Sequence, residues 1–137
     1  MQTVQAAEGA ITYADASKVG GLGTVAVLVG GAAVPYSPEA AAAVVDASPL
    51  AEGRGEGSLV RDLERDTTAS GAYPIVLVSY TLACTAYEDP ATAALVREFL
   101  TYAASEEGQR AAADAAGSAP ISDGMRADVM ALVERIS

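Results

Sequence analysis

Tyr73-Pro74-Ile75-Val76-Leu77-Val78-Ser79-Tyr80 is the stretch on which the reading of this chain turns. Pro74 introduces a continuous apolar run, and such a run is expected of a strand buried on both faces. Tyr73, standing before proline, is biased toward extended backbone. The uncharged run continues through Thr81 and Leu82 to Cys84. It reaches only about half of the ~20 residues a membrane helix needs, so it reads as sheet.

The segments downstream of this run are helical. Asp89-Pro90 opens a helix whose apolar positions are Leu95, Phe99, Tyr102 and Ala103. Ser105-Glu106-Glu107 restarts a helix that runs to about Ala116, with Gly117 placed to cap it. Ser122-Asp123 opens the last helix, with a stripe of Met125, Val129, Leu132, Val133 and Ile136. One strand with three amphipathic helices leaves more apolar surface than it covers. A sheet not contained in these residues would explain the excess.

Upstream, Ala10–Ala14 reads as a strand and Asp15–Val19 as one helical turn. Thr24–Val29 and Ala32–Val34 flank Gly30-Gly31, a hairpin signal because both glycines accept positive φ. Pro35 ends the returning strand. Ser37-Pro38-Glu39 opens a helix through Ala47, and a short helix is expected over Ser58–Asp66. The fold class is therefore α/β.

With 137 residues, half of them apolar, the chain is long enough for one ordinary domain. Its net charge of −10 argues against nucleic acid. A small anion is not excluded, because backbone amides can compensate one locally. There is one cysteine and no histidine, so an internal disulfide and the commonest metal ligand are both missing. Met1-Gln2-Thr3-Val4-Gln5 is not followed by a basic and apolar leader, so no signal peptide is expected.

Several motifs, in order, resemble the periplasmic phosphate-binding protein family, the solute-binding subunit of phosphate ABC importers. Gly9-Ala10-Ile11-Thr12-Tyr13 resembles that family's Gly-Ala-Ile-Gly-Tyr strand. Glu52-Gly53-Arg54, Asp62-Leu63 and Arg65-Asp66-Thr67-Thr68 resemble its connecting segment. Ala72–Tyr80 resembles the strand that returns to its first lobe. Phe99-Leu100-Thr101-Tyr102, Ser105-Glu106-Glu107-Gly108-Gln109 and Gly117-Ser118-Ala119-Pro120-Ile121-Ser122 resemble its later helices and link. The resemblance runs from Gly9 to Ile136. Binding proteins for molybdate or sulfate share the Ser-x-Glu-Gly-Gln type of element.

The resemblance implies a partial two-lobed type II binding-protein fold, C-terminal portion only. Residues 1–74 would finish the second lobe and its connection. Residues 75–137 would supply the return strand and the helices completing the first lobe, with a hinge at Tyr73–Val76. The implied partners are inorganic phosphate, the transporter's permease subunits and a missing N-terminal half. The implied location is periplasmic, or cell-surface as a lipoprotein. In the family the anion is held by amides at helix N-termini, hydroxyls, one arginine and one aspartate. That aspartate accepts from a protonated phosphate oxygen and so rejects sulfate. The Ser-Gly-Thr helix start that carries those ligands is not found here, so no ligand is assigned to any residue.

Local candidates have plainer readings. Gly20-Gly21-Leu22-Gly23-Thr24 reads as a turn, since no lysine follows it. Arg54, Arg61 and Arg65 sit among acids and read as a solvated charged face. Cys84 reads as a buried small residue. Tyr73, Tyr80 and Tyr87 read as half-buried sheet positions. Glu106 and Glu107 read as a helix start. Asp114, Asp123 and Asp128 form no metal spacing. No nucleophile–base pair is visible, so the chain reads as a binding module rather than an enzyme, with no cofactor. An interaction scaffold paired with a separate partner is the alternative.

Overall fold

A computed structural model describes all 137 residues, Met1–Ser137. The elements are α1 (Gln2–Gln5), a 3-10 turn (Ala16–Lys18), β1 (Val27–Val29), β2 (Ala32–Val34), α2 (Pro38–Ala47), α3 (Pro90–Ala104), α4 (Glu106–Ala116) and α5 (Asp123–Val133). The chain is mixed α/β, with one two-stranded sheet.

The hairpin follows from Gly30 and Gly31, whose φ angles of 55° and 86° give the doubly positive turn that matches strand twist. It sets Val29 opposite Ala32 and Val27 opposite Val34. A Cβ on Gly30 would also lie 2.8 Å from the Thr68 carbonyl oxygen, so glycine is required twice over. Ser37 caps α2 by accepting from the Ala40 N–H at 3.1 Å, with Pro38 in the first turn. Val29, Val34 and Ala40 make a small core, against which Val27 and Tyr73 pack. Tyr73 meets Tyr36 edge to face at 5.8 Å.

Beyond α2, Ala51 N–H donates to Val60 and Asp62 N–H to Pro49, with an antiparallel bridge at Leu50 and Arg61. The helix expected over Ser58–Asp66 does not form. Those residues spend their backbone groups on the Pro49–Ala51 segment instead. Buried Ser48 fixes the arrangement. Its hydroxyl donates to the Val44 carbonyl and accepts from Glu64 N–H, and its carbonyl accepts from Arg61.

The C-terminal helices pack as α3 on α4 and α3 on α5. Ser105 ends α3 and caps α4, accepting from Gly108 N–H at 3.1 Å. Gly117 closes α4 at φ 66°. Its α-carbon faces Ser17, so a Cβ there would lie 3.2 Å from the Ser17 nitrogen.

Two sequence expectations fail together. Ala10–Ala14 and Pro74–Cys84 carry strand-forming residues but form no strand, because no other strand pairs with them. Pro74–Cys84 runs without a turn or bend and makes no backbone–backbone hydrogen bond. The molecule exposes 9280 Å². A compact protein of its mass exposes about 6,600 Å². Only 13 residues are buried, which locates the excess in an open architecture.

Asp89 caps α3 through the N–H groups of Ala91 and Thr92. The Thr92 hydroxyl first, and those N–H groups with it, hold the Asp89 carboxyl below the usual aspartate range. Stabilisation from a depressed carboxyl is complete above its unfolded value, near ~3.9, and is lost as pH falls through the folded value. The first turn of α3 is therefore expected to fray in acid. Amide shifts of Ala91 and Thr92 followed by NMR will report it, and Asp89→Asn will abolish the titration.

Candidate functional site

An anion site of the helix-terminus kind needs unoccupied N–H groups. Here the N-termini of α2, α3, α4 and α5 each carry a side-chain cap, Ser37, Asp89, Ser105 and Ser122, which takes one of the orphan N–H groups, or two at α3. Five of the eight cations are committed, while Lys18, Arg54 and Arg110 make no side-chain hydrogen bond or ion pair. Arg61 donates to the Ser48 carbonyl, Arg65 to the carbonyls of Pro74 and Val76, and Arg97 to that of Ile136. Arg126 pairs with Glu106 and Asp123, each at 3.7 Å, and Arg135 with Glu56 at 2.8 Å. Arg61 and Arg65 thus act on the backbone rather than forming the solvated charged face expected of them. The segments they hold have few strand partners, and the guanidinium groups supply the missing donors.

The glycine-rich Gly20–Gly23 stretch forms an exposed turn with nothing packed on it. Glu106 and Glu107 lie in the first turn of α4. No group of three acidic or cysteine side chains is placed to hold a metal ion. A shallow groove of about 560 Å³ lies between α3 and α5, with Arg97, Glu98 and Glu134 on its walls. Its paired carboxylates make it a poor host for an anion.

What the structure does present is uncovered apolar surface. Leu77 is 94% exposed and Leu82 92%. Cys84, expected to be buried, is exposed. The unpaired segment it ends leaves the thiol uncovered. Tyr73 and Tyr87 are half-buried as expected and Tyr80 is exposed, but none of the three lies in a strand; Tyr80 and Tyr87 bind backbone instead. Their hydroxyls accept from the N–H groups of Arg61 and Cys84. On α3, Leu95, Phe99 and Tyr102 face solvent, while Ala93 and Ala104 make the buried contact. The apolar stripe read from the sequence is real, but α4 and α5 pack on another side of the helix.

A family model described as a PBP superfamily domain matches residues 1–107. The chain belongs to the PBP superfamily. No curated protein and no solved structure matches it. PBP domains are solute-binding modules rather than enzymes. They generally work with ABC transporter permeases and are typically periplasmic or extracytoplasmic. The match spans the hairpin, the connection, the extended segment and α3, and it stops at the corner into α4.

That corner explains a motif the sequence offered only as a likeness. In Ser105-Glu106-Glu107-Gly108-Gln109, the serine caps α4. A side chain at Gly108 would strike the Tyr102 carbonyl of α3. Gln109 clamps both neighbours, donating to the Ala103 carbonyl at 2.8 Å and accepting from Ile121 N–H at 3.0 Å. The motif is a structural joint. Gly108→Ala is expected to cost about 1–3 kcal/mol by overpacking this corner. Urea unfolding followed by circular dichroism measures it, and an unchanged midpoint would show that the corner yields freely.

Proposed function

We propose that this PBP domain is part of the phosphate-capturing solute-binding subunit of an ABC importer, with the phosphate ligands on segments outside these 137 residues. The observation that carries the reading is the extended, apolar, unpaired segment Pro74–Cys84. The family resemblance assigns this segment to a strand returning into the first lobe's sheet. On this reading, residues 1–74 finish the second lobe and residues 75–137 complete the first. An N-terminal half supplies the remaining strands and the Ser-Gly-Thr helix start, and the complete subunit delivers solute to the transporter's permease subunits. The subunit works in the periplasm or, as a lipoprotein, on the cell surface.

Phosphate is favoured over molybdate or sulfate by the collinear motifs from Gly9 to Ile136. The capped helix termini, and the hold of backbone carbonyls on Arg61 and Arg65, support placing the ligands elsewhere. A second reading, an interaction scaffold that holds no solute, draws on the same uncovered surface.

Calorimetric titration separates these readings. Phosphate added to the chain alone is expected to give no specific heat of binding. Supplying the N-terminal half in trans is expected to restore binding that excess sulfate does not compete away. Tight binding by the chain alone would refute the placement of the ligands. A folded, mixed complex that ignores phosphate would leave the scaffold reading standing.

A further inference from the structure

Pro74–Cys84 joins two bodies, residues 1–73 and residues 85–137. It makes no backbone–backbone hydrogen bond to either, and none joins the bodies directly. The element pairs that pack extensively are β1 with β2, α3 with α4 and α3 with α5, each inside one body. Two side-chain bonds cross from one body to the other. Both run from the first body to the two ends of α5. Ser122, the cap of α5, donates its hydroxyl to the Asp46 carboxylate at 2.9 Å. Arg135, just past the end of α5, donates to the Glu56 carboxylate at 2.8 Å. Between these ends Leu132 lies beside Gly57, where a Cβ would be 3.5 Å from its δ-carbon.

Asp46 is placed for this contact. It sits in the last turn of α2, where the helix dipole disfavours a carboxylate, and is aimed at the start of α5, where the dipole favours one. The charge of the whole chain works against the contact. Each body holds nine acidic and four basic side chains, and Pro74–Cys84 holds none, so each body carries half of the net −10. Two bodies of like charge repel.

We propose that α5, with Asp46 and Glu56, is a clasp that holds two mutually repelling bodies closed, and that its release lets them swing apart about Pro74–Cys84. Exposed polar ties are individually weak. Two of them, opposed by repulsion and joined by a segment without backbone bonds, make a closure that opens readily. The clasp is a conformational device, and it does not depend on phosphate or on which segments bind it.

Small-angle X-ray scattering of the whole chain at low ionic strength reads the closure as a radius of gyration. Arg135→Glu turns one tie into a repulsive pair and is expected to raise the radius. The circular dichroism spectrum is expected to stay unchanged, because each body keeps its own helices. Adding Glu56→Arg restores the pair with its charges exchanged and is expected to return the wild-type radius. Asp46→Ala removes the other tie at an exposed helix position and is expected to open the molecule further when combined with Arg135→Glu. Salt is expected to shrink that double variant by screening the repulsion between the bodies. An unchanged radius in the double variant overturns the proposal. So does an opening that Glu56→Arg does not reverse, a double variant indifferent to salt, or a loss of helix accompanying the opening, which would make the ties part of the fold of each body.

Discussion

Backbone N–H and C=O groups must be paired or wetted, and this constraint governs the whole molecule. Helices meet it within themselves. Strands meet it only through a neighbour. The chain makes 61 backbone–backbone hydrogen bonds, where an ordinary globular protein of this length makes about 90. The shortfall lies in the non-helical stretches. At a few points where the chain runs without a backbone partner, side chains step in. Arg65 serves Pro74 and Val76, Ser48 serves Glu64, and the Tyr80 hydroxyl serves Arg61. These bonds hold the connection in place and leave the apolar side chains without cover.

The energetic consequence is a sparse core. Ten apolar residues are buried, Val29, Val34 and Ala40 as one cluster, with Ala41, Val44, Ala72, Ala93, Ala104, Val133 and Ile136 besides. Five of the ten are alanine. Small side chains bury little area, so the core contributes modestly. The larger side chains, Leu77, Leu82, Leu95 and Phe99, remain in water.

Local chemistry was legible in the sequence. Gly30-Gly31 gives its turn, Ser37-Pro38 and Asp89-Pro90 start their helices, and Gly117 ends one, because each effect is settled within a few residues. The same reading misplaced Ala10–Ala14, Ser58–Asp66 and the burial of Cys84. Each of those depends on what lies beside the segment, and no periodicity within it records that. Arg65 was read from its acidic neighbours in sequence, whereas its partners are carbonyls nine and eleven residues away. The candidate surface was legible only as a surplus of apolar faces over strands. Which faces remain open depends on how α3 rotates against α4 and α5.

Ser137 sits between Thr85 and Tyr87, donating its N–H to one and accepting from the other at 3.0 and 2.7 Å. The three-helix segment from residue 85 onward therefore returns to its own starting point. Its two ends are neighbours in space, so a short linker would join them into a ring. New termini could then be opened in the Gly117–Pro120 link, away from the Thr85–Ser137 junction. The order in which α3, α4 and α5 are threaded would change while their packing stayed the same.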